Sequence, residues 1–217
     1  MNKEIFYRII SSLVLIPVVF FCIIKGSFFF NILIILSFVI TCYEWNSMIK
    51  NKIFILLGFI FITLSYYCVF LIRNSFGDES LSFFLLILLI CISTDIGGYI
   101  FGKILRGPKL TKISPNKTYS GMIGSFFLSI LVLMIFINYS SILNLNYKTF
   151  DVSLLIIILM ISTVSQLGDL IVSYFKRLSN IKNTGKIIPG HGGILDRTDG
   201  MIFAFPFSYI LSIFNFV

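Results

Sequence analysis

Charge is what this 217-residue chain has least of. Asp, Glu, Lys and Arg together make up 12% of it, against about a quarter in a soluble domain. With 58% hydrophobic residues, 25 of them Phe, and a mean hydropathy of +1.01, the chain has too little polar surface to close around an apolar core in water. Histidine occurs once, at His191, and tryptophan once, at Trp45, so a multi-histidine metal centre is excluded. The four cysteines (Cys22, Cys42, Cys68 and Cys91) lie in or beside apolar runs with no CxxC spacing. They give neither a disulfide framework nor a zinc site. The alternating short segments of a membrane β-barrel are missing, and so is the GxxxxGK[ST] spacing of a P-loop.

What is present is a series of continuous apolar windows near residues 6–24, 28–42, 53–72, 81–101, 121–138, 152–172 and 201–217. A helix needs about 20 mostly apolar residues to cross a bilayer. The chain therefore reads as an all-α, polytopic integral membrane protein of about seven transmembrane helices, with 28–42 the borderline window. The first run follows Lys3 and Arg8 but contains Pro17, and no small-x-small site follows it, which fits an uncleaved span. Residues 1–80 form an N-terminal group of spans. Residues 81–217 form a second region holding two long polar loops, 102–120 and 173–200.

With seven spans, one side receives the N-terminus and the segments near 43–52, 102–120 and 173–200. That side carries fourteen of the seventeen Lys and Arg residues, leaving Lys25, Arg73 and Lys148 for the other. The positive-inside rule places the N-terminus and both long loops in the cytoplasm. Topology and anionic lipid head groups account for basic loops of this kind, so no nucleic-acid partner is expected.

The acids carry more information than the bases. Asp95 and Asp169 fall near the cytoplasmic ends of the fourth and sixth windows, and Asp196 and Asp199 directly precede the seventh. Carboxylates from three distant segments are thus expected at one depth. Their repulsion calls for cationic partners or a bound cation. Oxygen ligands of this kind suit Mg²⁺, which takes one or two carboxylates plus waters and substrate phosphates. The plainer alternative is salt bridging, of Asp169 with Lys176 or Arg177 and of Asp196 or Asp199 with Arg197. Ser162, Ser165 or Gln166, Asp169, Ser173 and Lys176 recur every three or four residues. They form a polar stripe that must face a helix or a cavity rather than lipid.

Two segments have phosphate-binding character. Ser114-Pro115-Asn116-Lys117-Thr118 precedes Gly121 at the start of a span, where hydroxyls, a lysine and a helix N-terminus can hold an anion. Pro189-Gly190-His191-Gly192-Gly193 offers close backbone approach beside Arg197, whose planar fork of donors suits phosphate.

Together these residues resemble the bacterial phosphatidate cytidylyltransferases (CDP-diacylglycerol synthases). The resemblance rests on Ser173, Lys176-Arg177, Lys182-Asn183, Pro189-Gly190-His191-Gly192-Gly193 and Asp196-Arg197-Thr198-Asp199. Upstream it takes in Asp95 with Tyr99, Gly102-Lys103, Ser114 to Thr118 and Gly168-Asp169, and more loosely Glu44-Trp45. Two positions depart from the family pattern: Asn183 replaces an aspartate, and Ser120 stands where an acid is usual before Gly121.

The resemblance implies transfer of a cytidylyl group from CTP to phosphatidate in the membrane, giving CDP-diacylglycerol and pyrophosphate with Mg²⁺. It implies catalytic roles for Asp169, Lys176, Arg177, His191, Asp196 and Arg197, and a metal site at Asp169, Asp196 and Asp199. Substrate binding falls to Ser114, Asn116, Lys117, Thr118, Ser173, Gly190, Gly192 and Gly193. The implied enzyme sits in the cell's inner (cytoplasmic) membrane with its site facing the cytoplasm. A second, monovalent cation and a homodimer are compatible with it. Other readings are a CTP-dependent enzyme with another lipid acceptor, a low-activity homologue, and a small transporter. The last would show paired broken helices or an internal repeat, and the sequence has neither.

Overall fold

A computed structural model describes residues 3–75, 77–111, 114–140, 151–190 and 192–214. Helices occupy all seven apolar windows: α1 (Lys3–Lys25), α2 (Ser27–Met48), α3 (Lys52–Asn74), α4 (Ser80–Leu105), α5 (Tyr119–Ser140), α6 (Val152–Leu178) and α8 (Met201–Ile213). A one-turn helix, α7 (Leu195–Thr198), precedes the last of them. Among the described residues, α2 to α6 are long and apolar enough to cross a membrane, while α8 is 13 residues long. The borderline second window is a full-length apolar helix of 22 residues.

The distribution of side chains is that of a protein solvated by lipid. Large apolar residues face outwards, among them Ile35, Leu56, Ile60 and Ile123, whereas Ser65, Ser93, Thr94, Ser125, Ser129 and Ser162 are buried. Apolar burial drives little association in hydrocarbon, where close packing and interhelical hydrogen bonds take over.

The chain divides into two compact units that interleave in sequence. The first is residues 1–70 with 175–198; the second is 71–174 with 199–217. This grouping cuts the chain differently from the linear regions 1–80 and 81–217.

In the second unit, α4 and α5 are in extensive contact. A Cβ on Gly97 would meet the carbonyl oxygen of Gly124 at 2.6 Å, so the two backbones touch at a distance that only glycine allows. Thr94 Oγ1 shares hydrogen bonds with Ser129 (3.1 Å) and Ser162 (2.8 Å), joining α4, α5 and α6 through hydroxyls. Ser162 of the expected polar stripe on α6 thereby has its partner, and Ser165 beside it is fully buried in this unit. Asp151 caps α6, its Oδ1 accepting the Val152 N–H at 2.7 Å.

In the first unit, the Trp45 indole donates to the Phe54 carbonyl (3.1 Å) and packs edge-on against Phe175 at 5.1 Å. Phe175 belongs to the last turn of α6, and Phe54 lies against its other side at 5.5 Å. Thr41 and Tyr66 tie α2 to α3 at 2.8 Å.

Candidate active site

Both polar loops begin later than their expected bounds, because the preceding helices run further. α4 continues to Leu105 and α6 to Leu178. Ser173, Lys176 and Arg177 are therefore helical residues rather than loop residues, and rigid α6 backbone sets their positions.

In the second unit, the segment after α4 folds back as a small hairpin. Lys109 and Thr118 bridge across it, and the Leu110 N–H donates to the Lys117 carbonyl at 2.8 Å. Arg106 and Gly107 take positive φ at its base. The hairpin delivers Lys117 to Asp169 of α6, Nζ to Oδ2 at 2.6 Å, with both side chains about a quarter exposed. Asp169 Oδ1 accepts from the Ser173 hydroxyl at 3.2 Å, one helical turn further on. Thr118 Oγ1 accepts the Gly121 N–H at 3.1 Å and so acts as the N-cap of α5. Ser114 accepts the Lys117 N–H through its carbonyl at 3.0 Å, and Asn116 is exposed at the tip.

Asp199 belongs to the same unit. It is buried, and its Oδ1 accepts the Gly200 N–H at 3.0 Å. A Cβ on Gly168 would meet the Asp199 carbonyl oxygen at 3.0 Å and the Phe203 ring at 2.5 Å. The missing side chain at 168 thus lets α6 pass directly against residues 199–203, on the turn that carries Asp169.

In the first unit, Asp196 organises the 182–197 segment. Its Oδ1 accepts from Lys176 Nζ at 3.0 Å, and its Oδ2 accepts the N–H groups of Thr184 (2.8 Å) and Gly193 (3.0 Å). The ion pair is nearly sealed, its side chains 11% and 8% exposed. Ile188 and Gly192 exchange backbone hydrogen bonds at 2.9 and 3.2 Å, closing the turn that begins with Pro189 and Gly190. Gly192 has φ +90°, and a Cβ there would lie 2.7 Å from Asp196 Oδ2. Arg197 is exposed on α7, as is Arg177 on α6, whose guanidinium donates to the Ile181 carbonyl at 3.3 Å. His191 lies outside the described residues.

The expected salt bridges are re-paired. Asp169 takes Lys117 from the distant hairpin, and Asp196 takes Lys176 from one helix away. Neither cation is a sequence neighbour of its acid: Lys117 comes from the hairpin and Lys176 from the last turns of α6.

One acid was underweighted by the sequence. Glu44, in the last turn of α2, is 1% exposed. Its Oε1 accepts the Ile194 N–H (3.0 Å), and its Oε2 accepts the Leu195 N–H (2.8 Å) and the Thr184 hydroxyl (2.9 Å). A Cβ on Gly193 would fall on this carboxylate. The glycine is therefore needed for the approach of Glu44, whatever else the turn does. The signal was available: between Glu4 and Asp78, Glu44 is the only acid in the chain, and a lone acid at the edge of an apolar window is a functional candidate.

Among the described residues, no three His, Cys, Asp or Glu side chains gather into a metal-binding group. The carboxylates suit a hard cation in type. Asp169 and Asp199, on neighbouring segments of one unit, are the carboxylates that could supply the one or two protein ligands Mg²⁺ takes, with Asp169 also accepting from Lys117 and Ser173. Asp196 already accepts three hydrogen bonds from the protein.

The sequence is similar to proteins of one known family. The cytidylyltransferase family matches residues 49–214. A phosphatidate cytidylyltransferase of Rickettsia bellii is 37% identical over 97% of this chain and 92% of its own length. One from Rickettsia typhi is 36% identical over 98% and 94%, and one from Staphylococcus saprophyticus is 39% identical over 83% and 68%. The chain is thus a multi-pass helical membrane protein, and it belongs to the cytidylyltransferase family.

Proposed function

We infer that the protein is a phosphatidate cytidylyltransferase, forming CDP-diacylglycerol and pyrophosphate from CTP and phosphatidate. The observation that carries this is the similarity over nearly the whole chain, at 37% identity, to a relative bearing that activity's name. It is supported by the retention of Asp169, Lys176, Arg177, Asp196, Arg197 and Asp199.

In this reading a phosphate oxygen of phosphatidate attacks the α-phosphorus of CTP. The new P–O bond forms as the bond to the β-phosphate bridging oxygen breaks, and pyrophosphate leaves with that electron pair. A phosphomonoester is already nucleophilic at neutral pH, so the protein's task is alignment and charge neutralisation. Lys117 has three donors, one of which is directed at Asp169, and a lysine oriented in this way is well placed for phosphate oxygens. Lys176, Arg177 and Arg197 are proposed as further phosphate partners, with Ser114, Asn116 and Ser173 as polar contacts. Gly190, Gly192 and Gly193 are proposed to shape the nucleotide turn, and His191 to assist there. Asp169 and Asp199 would hold Mg²⁺, while Asp196 keeps Lys176 and the turn in place. Bound there, Mg²⁺ would neutralise the phosphate charge that builds up during transfer. The charge asymmetry of the loops supports a site open to the cytoplasm, where CTP is found.

The test supplies labelled CTP and phosphatidate to the purified protein in detergent, with Mg²⁺ and with chelator. Labelled CDP-diacylglycerol is expected with Mg²⁺ alone. No lipid-linked CMP under any condition would overturn the reading.

A further inference from the structure

We propose that Glu44 is a positioning residue for the nucleotide-binding segment, holding residues 184–197 in register from the end of α2. The claim rests on the functional reading above, because it takes that segment to face CTP. Its physical basis stands independently. Glu44 is fully enclosed, and its carboxylate accepts from two successive backbone N–H groups and a threonine hydroxyl. A buried carboxylate is costly unless such donors surround it, so its placement here reflects what it holds. The two N–H groups belong to Ile194 and to Leu195, the first residue of α7. They are groups that the helix cannot bond internally.

Thr184 connects this tie to the Asp196 cluster. Its hydroxyl donates to Glu44 while its N–H donates to Asp196, and Asp196 holds Lys176. Glu44, Thr184, Asp196 and Lys176 therefore form one hydrogen-bonded chain. The Gly193 backbone lies directly against the Glu44 carboxylate. Movement at Glu44 would be felt at Asp196, Arg197 and the 188–192 turn without Glu44 touching a substrate.

The test uses the full chain in detergent, with Glu44→Gln, Thr184→Val and Thr184→Ser. A glutamine offers one oxygen where the carboxylate offers two, so an N–H of Ile194 or Leu195 must face an NH₂ group. Loss of one such charge-assisted bond corresponds to about tenfold or more. We expect amide exchange at 194 or 195 to quicken by about that factor and KM for CTP to rise by about tenfold, with KM for phosphatidate within about twofold. Thr184→Val should shift the same two quantities in the same direction, and Thr184→Ser should restore them.

Unchanged exchange and unchanged KM for CTP in Glu44→Gln would overturn the proposal. So would a fall in maximal rate alone that tracks lost folded protein. A wild-type protein that makes no CDP-diacylglycerol would overturn the functional reading instead. The exchange rates would then decide the tie by themselves, faster exchange supporting it and unchanged exchange refuting it.

Discussion

Replacing Lys176 by methionine removes a charge from the pair with Asp196 while keeping the length of the side chain. Removing one member of a buried ion pair costs about 3–5 kcal/mol when the other charge is left uncompensated. Here Asp196 keeps the N–H groups of Thr184 and Gly193 on Oδ2. The loss should therefore be nearer that of one charged hydrogen bond, about 1.5–3 kcal/mol. Asp196→Asn is worse placed. Its amide can satisfy either the two N–H groups or Lys176, and in each orientation two donors confront one another. Because Lys176 is itself 8% exposed, that variant also takes away the carboxylate charge facing a buried ammonium. The two costs overlap, so the double variant should be less destabilised than the sum of the singles by about 1 kcal/mol or more. The assay is thermal unfolding of all four proteins in one detergent, paired with CTP turnover. Additive shifts in midpoint, or a Lys176→Met protein as stable and as active as wild type, would refute the coupling. Asp196→Asn is consequently a poor probe of metal binding by itself, since it disturbs the loop at the same time.

Other expectations follow from individual contacts. Gly193→Ala places a methyl group on the Glu44 carboxylate, and overpacking of this kind costs about 1–3 kcal/mol; a lowered unfolding midpoint with an intact helical circular-dichroism spectrum would register it. Asp169→Asn removes the anion facing Lys117 and should suppress turnover by about a hundredfold or more, as expected for a group acting on transferring phosphates, measured as labelled lipid formed per minute. The Ser153 hydroxyl and then the Val152 N–H hold the Asp151 carboxyl below its ordinary value. Its capping of α6 is thus fully present at neutral pH and is lost only as pH falls through the folded value, below the ordinary carboxylate range. Exchange at the first amides of α6, corrected for intrinsic rates, should quicken there in wild type and be insensitive to that step in Asp151→Ala.

The sequence made the helices legible because hydrocarbon leaves a backbone few choices. Every apolar window is a helix, and even the short second window extends through Glu44 to Met48. It was less informative on where polar segments begin. By composition the polar segment begins at Ser173, yet Lys176 and Arg177 complete α6, as the three- and four-residue spacing through Lys176 implied, and cations suit the last turn of a helix. Pairing was hidden as well. Asp169 meets Lys117 only because a hairpin closed by Lys109 and Thr118 turns the chain back, and local spacing carries no trace of that closure. The glycines next to His191 read as a phosphate cradle. Two of them lie against carboxylates, Gly192 against Asp196 and Gly193 against Glu44, and that second partner sits about 150 residues away in sequence. Long-range contacts of this kind need the fold before they can be seen.

The central claim, transfer of a cytidylyl group to a lipid phosphate, is tested most directly by phosphorus NMR of the purified protein with CTP, phosphatidate and Mg²⁺. The account predicts that the phosphomonoester resonance of phosphatidate falls as a lipid pyrophosphate diester appears, with one pyrophosphate released for each. Consumption of CTP to CMP or CDP with the phosphatidate resonance unchanged would contradict it.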